Sequence, residues 1–157
     1  MNVHEIIDKF VESINSPESK FQQTEKADWI NNFEMKLPKR LPVSFQSLIS
    51  RYAFDAFEYN GLSFFANYDL NENLSIAIFK DRFISEAALQ NGFIQFARPE
   101  GSSYDPICFD TNISRSGREF PMVQLDHEAI LCRDKIRITQ TVSNSFLEFA
   151  SMKFKNF

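Results

Sequence analysis

The sequence predicts an α+β fold, a single compact domain in which a mostly antiparallel sheet packs against helices. Apolar residues recur at helical spacing near both ends of the chain, whereas after Phe54 they alternate with a period of two. The predicted strands are grouped together and do not alternate with helices, a pattern that favours an antiparallel sheet. Because 157 residues is the length of one ordinary domain, we predict one domain over residues 1–157.

The composition indicates a globular protein with an aromatic core. Eighteen residues are Phe, and Phe adds buried area without a polar atom that needs a partner. The net charge of -4 argues against direct nucleic-acid binding, which needs a basic surface, and suits a basic protein partner. No apolar run approaches the roughly 20 residues that cross a bilayer, so we expect no membrane association. The first residues show neither the basic nor the long apolar region of a signal peptide, so we expect no secretion by a cleaved signal. Two cysteines are too few for a disulfide framework, and we therefore expect a cytoplasmic protein.

The first half of the chain predicts three helices. Residues 3–14 carry an apolar stripe at helical spacing, with Asn2 and Glu5 placed to form a capping box. A second helix is predicted at about residues 24–35. Pro42 is predicted to occupy the first turn of a third helix, where the missing N–H of proline costs nothing.

The second half predicts mainly strands. Asn60-Gly61 separates two alternating segments, and this dipeptide favours the positive φ angles of a type I′ hairpin turn. We expect a loop at 71–73, a short strand at 74–79 and a helix at about 81–90. Further strands are predicted at 93–97, 106–110, 121–125 and 136–139. Ser145 and Glu148 match a capping box that opens a C-terminal helix.

His127 is the strongest candidate for a catalytic residue in the sequence. It stands between Asp126 and Glu128 at the end of a predicted strand, and a carboxylate neighbour raises the pKa of an imidazole. One interpretation is a general base in a small hydrolase. The other is a turn in which the carboxylates cap backbone amides and His127 hydrogen-bonds a neighbouring backbone group or carboxylate. We favour this structural role.

The two cysteines suggest neither a metal centre nor a nucleophile. Cys108, Cys132 and His127 lack the paired spacing of a structural zinc site. Cys108 lies within an apolar segment, so we expect it to be buried as a small hydrophobic residue. The sequence therefore predicts two unpaired thiols, no metal and no cofactor.

Three segments and a closing helix, taken in order, resemble the SUKH superfamily, which includes fungal glucan-synthesis regulators of the Smi/Knr type and many bacterial immunity proteins. Residues 37–49 are similar to the family's Leu-Pro segment that opens a helix. Residues 105–110 resemble its short apolar strand between two Asp residues. Residues 123–128 are similar to its strand ending in His-Glu, and residues 146–149 to its closing helix. The resemblance covers roughly residues 24–154, so the N-terminal helix and loop at 1–23 precede the best-matching region.

The resemblance implies a non-catalytic module that binds a protein partner. Bacterial members are typically encoded beside toxins, often nucleases, which they neutralise by binding. The alternative is a regulator or scaffold in cell-wall glucan synthesis or signalling, as the fungal members suggest. Leu41, Pro42 and His127 would be structural motif residues. The surface that binds a basic toxin would comprise four carboxylates at strand ends: Asp105, Asp110, Asp126 and Glu128.

Overall fold

A six-stranded antiparallel sheet forms the centre of the computed structural model, which describes residues 1–17, 20–24, 28–67, 74–81, 84–101, 103–114 and 116–152. The helices of these residues are α1 (Val3–Ile14), α2 (Asp28–Glu34), α3 (Val43–Arg51), α4 (Leu74–Phe79), α5 (Ser85–Gln90), α6 (His127–Arg133) and α7 (Phe146–Ser151). The strands are β1 (Phe21–Gln23), β2 (Tyr52–Phe54), β3 (Phe57–Tyr59), β4 (Leu62–Phe64), β5 (Phe93–Pro99), β6 (Ile107–Asp110), β7 (Met122–Leu125) and β8 (Ile138–Ser143). The predicted α+β domain is confirmed.

The main sheet is a meander in which each strand pairs with the next one in the sequence. Its order is β3-β4-β5-β6-β7-β8, and every pairing is antiparallel. The β3–β4 turn has φ angles of 48° at Asn60 and 84° at Gly61, so the predicted hairpin turn is confirmed. The strands β1 and β2 form a separate two-stranded sheet, which the sequence did not predict.

Helices cover both faces of the sheet, and successive side chains of β6 point alternately to one face and to the other. Ile107 and Phe109 are fully buried in the larger apolar cluster, together with residues of α1, α3 and α7. Cys108 points to the opposite face and joins a smaller cluster with residues of α5 and α6. The rings of Phe96 and Phe109 stack in the larger cluster with their centroids 4.0 Å apart. The predicted aromatic core is therefore confirmed.

The helix starts follow the sequence signals, with one correction. Asn2 and Glu5 form the predicted capping box of α1, and the Ser145 hydroxyl accepts a hydrogen bond from the Glu148 backbone at the start of α7. Pro42 lies at the N-cap of α3 and not in its first turn. Its extended backbone (φ -53°, ψ 140°) places it one residue before the helix, where its side chain caps nothing.

The prediction of a strand at 74–79 is wrong, because these residues form the helix α4. Leu74, Ala77 and Ile78 are buried, which is the i, i+3, i+4 spacing of a helix face. The helix predicted at 24–35 is observed over Asp28–Glu34. The loop predicted at 71–73 lies outside the described residues.

Among the helices of the described residues, none is both long enough and apolar enough to cross a membrane.

Candidate functional site

The antiparallel pairing of β6 with β7 brings two of the predicted site segments together. Ile107, the first residue of β6, pairs with Gln124, near the end of β7. The Leu125 backbone N–H donates to the Pro106 carbonyl oxygen at 2.9 Å. Asp105, two residues before Ile107, therefore lies beside the start of α6.

Asp105 accepts three hydrogen bonds, two of them on one oxygen. Its Oδ1 atom lies 2.5 Å from Nδ1 of His127 and 3.1 Å from the His127 backbone nitrogen. Its Oδ2 atom accepts from the Gln124 side-chain amide at 2.8 Å. Partial burial by itself would raise the pKa of Asp105, but the hydrogen bonds from His127 and Gln124 outweigh it and hold this pKa below its ordinary value. The expectation that His127 bonds a neighbouring carboxylate is confirmed.

Asp126 is the N-cap of α6. Its Oδ1 atom accepts from the backbone N–H groups of Glu128 and Ala129, at 3.0 and 3.4 Å. Its Oδ2 atom lies 3.4 Å from Nη1 of Arg137. This geometry confirms the interpretation in which a carboxylate of the Asp-His-Glu segment caps backbone amides.

Glu128 is the most accessible of the four predicted carboxylates. It lies in the first turn of α6, where a negative charge is favoured by the helix dipole, and its residue is exposed. Its carboxylate has no hydrogen-bond or ion-pair partner among the residues that the structure describes. Glu128 can therefore contact another molecule without first losing a contact within the fold.

Asp110 does not join the other three carboxylates. It ends β6, whereas Asp105 precedes that strand, and five steps of about 3.3 Å each separate the two by about 16 Å. Asp110 is also buried, and its Oδ1 accepts from the backbone and the side-chain amide of Asn112 at 3.0 and 2.9 Å. Its carboxylate braces the turn after β6.

Asp105, Asp126 and His127 are also the described residues that could hold a metal ion. One ligand atom from each lies within 4.8 Å of the others. Carboxylates and an imidazole are ligands for several divalent metals. In the structure these groups are already engaged, because Asp105 accepts three hydrogen bonds and Asp126 caps α6. A bound metal would have to replace those contacts.

The pair of His127 and Asp105 has part of the geometry of a catalytic base. A carboxylate on Nδ1 fixes the orientation and tautomer of an imidazole, as in hydrolases that use a serine or cysteine nucleophile. Among the described residues, no Ser, Thr or Cys hydrogen-bonds to His127. The Tyr104 ring lies edge-on to the imidazole, with centroids 6.1 Å apart. The arrangement holds the β7–α6 connection and lacks a paired nucleophile within the described part of the chain.

The two cysteines have different environments. Cys108 is fully buried in β6, and burial, followed by the charge of Asp110, raises the pKa of its thiol. Cys132 is exposed on α6. Both thiols are free, as predicted, and neither belongs to the cluster of described residues that could hold a metal.

Two buried carboxylates that no sequence pattern predicted, Glu34 and Glu119, hold Leu41 and the start of α3. Leu41 is fully buried, and its backbone N–H donates to Oε2 of Glu34 at 2.8 Å. Glu119 accepts from the Ser44 backbone at 3.0 Å and from the Leu147 backbone at 3.2 Å. One carboxylate therefore caps both α3 and α7. No local pattern reveals it, because Glu119 is distant from α3 in the sequence.

No protein-family model matches this chain, and no curated protein matches its sequence.

Proposed function

We propose that this chain is a non-catalytic protein-binding module, an immunity protein that neutralises a basic toxin domain by covering it. The toxin would land on the acidic face, which we define as Asp105, Asp126 and Glu128. The observation that carries the proposal is the link between Asp105 and His127, since it joins the second and third segments of the SUKH resemblance at one end of the sheet.

The contacts of the acidic face give its members different roles. Asp105 and Asp126 are partly buried and hold His127 and α6 in place, so they orient the face. The charge of Asp126 is offset in part by Arg137. Glu128 is exposed, and its charge adds to theirs without a compensating cation among the described residues. We expect Glu128 to make the closest contact with a basic partner.

Electrostatics would act mainly on the rate at which the partner arrives. Complementary charge raises association rates and selects against partners of the same sign. The net charge of -4 adds a weak, long-range attraction toward a basic protein. Salt screens such attraction within about 10 Å at ordinary ionic strength, so the effect should be sensitive to salt.

The pair of His127 and Asp105 supports a second candidate, a small hydrolase in which His127 is the base. An imidazole oriented by a carboxylate is the common feature of such enzymes. This candidate predicts that His127→Ala abolishes a hydrolytic activity while the protein stays folded. The binding module predicts the opposite, a loss of stability with no turnover to lose.

Co-expression with a toxin-like protein encoded next to this chain tests the proposed function. Wild type should restore growth and form a stable complex with the purified toxin domain. Glu128→Lys should weaken the complex, whereas Glu12→Lys, the same change at an exposed site on α1, should leave it unchanged. Failure of wild type to bind or to protect would contradict the proposal.

A further inference from the structure

The strand β8 is an open edge of the main sheet. Within the described residues it pairs with β7 on one side and with nothing on the other. Residues 138–141 are exposed, and Ile138 keeps 45% of its surface accessible. An edge strand presents unpaired N–H and C=O groups, which are a template for one more strand.

The strand β8 lacks two of the features that keep edge strands apart, a charged side chain and a proline. Its six residues, Ile138–Ser143, include no charged residue, no Pro and no Gly. Natural edges are usually protected by a charged side chain, a proline or a bulge. Here the pairing with β7 shifts register twice, because Thr139 and Val142 are extra residues of β8. Gln140 and Thr141, between the two shifts, form the regular stretch.

We propose that β8 pairs with β8 of a second copy of this chain, in an antiparallel and symmetric contact. Complete overlap of the two strands places the two-fold axis between Gln140 and Thr141. Gln140 then faces the partner's Thr141, and Ile138 faces the partner's Ser143. No charge faces a like charge within the strand, and Arg137, just before it, meets the neutral Asn144.

The absence of charge on β8 favours a second copy of this chain, and not a basic protein, as its partner. A basic partner gains nothing from an uncharged strand, whereas two identical neutral strands pair without repulsion. The contact is short, so its area falls below the roughly 1,200–2,000 Å² of stable complexes. We therefore expect a weak dimer, with a dissociation constant of about 0.1–1 mM.

Two double variants test the contact and its register. Gln140→Lys with Thr141→Lys places two lysine pairs across the two-fold axis, where like charges repel. Gln140→Glu with Thr141→Lys places a carboxylate opposite each lysine at the same two exposed sites. Sedimentation velocity up to about 1 mM protein should show wild type and the Glu/Lys variant dimerising. The Lys/Lys variant should dimerise about tenfold more weakly than the Glu/Lys variant.

Two results would overturn the proposal: wild type that stays monomeric up to that concentration, or double variants that dimerise equally. Thermal melts of both variants check that they are folded, and both lose the same hydrogen bond from Gln140 to Gln124. The dimer does not depend on the proposed toxin, so its failure would leave the toxin-binding result unaffected.

Discussion

Asp105 and His127 are joined twice through one atom, because Oδ1 of Asp105 accepts from both the backbone N–H and Nδ1 of His127. The two residues are 22 positions apart, so the contact ties the segment before β6 to the start of α6. It fixes the backbone on which Asp126 and Glu128 are presented. The arrangement of the acidic face therefore depends on this contact.

Loss of the His127 side chain should destabilise the fold. His127→Ala leaves Asp105 without its shortest hydrogen bond in a partly buried position, and we expect the free energy of unfolding to fall by about 1–2 kcal/mol. Urea denaturation measures the change. Glu128→Gln, at the next residue, loses only a favourable interaction with the helix dipole and should lower the free energy of unfolding by no more than about 0.5 kcal/mol. An unaltered urea midpoint for His127→Ala, together with loss of a hydrolytic activity, would favour the catalytic interpretation.

The contribution of Asp105 to stability should depend on pH. Its pKa is lower in the folded protein than in the unfolded chain, so its contribution is complete above about pH 4 and is lost as the pH falls through the folded-state pKa. Asp105→Asn should therefore be less stable than wild type at neutral pH, and the difference should shrink below about pH 4. Chemical denaturation at several pH values measures this. A difference that stays constant down to pH 2 would show that the Asp105 charge is not involved.

Removal of Glu119 should cost more than removal of an exposed carboxylate. Glu119→Ala leaves the Ser44 and Leu147 backbone N–H groups without acceptors in the first turns of α3 and α7. We expect a loss of about 2–4 kcal/mol in the free energy of unfolding. Glu12→Ala, on the exposed side of α1, is the control and should melt like wild type. Equal melting temperatures for the two variants would refute the double-capping role.

The two thiols should differ in reactivity. Cys132 is exposed, whereas Cys108 is fully buried and burial raises its pKa, so little thiolate forms there. A disulfide reagent should modify one thiol in the native protein and two after unfolding. Cys132→Ser should reduce the native count to none. Rapid modification of Cys108 in folded Cys132→Ser would show that the β6 core opens.

Local signals explain which elements could be predicted from the sequence. The α1 capping box and the Asn60-Gly61 turn depend on residues a few positions apart, and both are observed. The segment 74–79 is ambiguous in sequence because its six residues satisfy both a strand and a helix pattern. Its packing on β5, where the Gln95 side chain donates to the Ala77 carbonyl oxygen, depends on a contact 18 residues away.

The candidate site was predictable in part for the same reason. Asp126 caps α6 through its immediate neighbours, an arrangement that its sequence context suggested. The separation of Asp110 from Asp105 follows from the predicted strand at 106–110, because Asp105 precedes that strand and Asp110 ends it. The double cap by Glu119, in contrast, depends on how α3 and α7 pack. That packing has no signature in a single stretch of sequence.

The association rate with the toxin domain tests the central claim most directly. At low salt, Glu128→Lys should bind several-fold more slowly than wild type, because it reverses the most exposed charge of the acidic face. Glu12→Lys, which changes the net charge equally, should bind at nearly the wild-type rate, and added salt should shrink the difference between the two variants. Equal association rates for Glu128→Lys and Glu12→Lys at low salt, with both proteins folded, would show that the partner does not land on Asp105, Asp126 and Glu128.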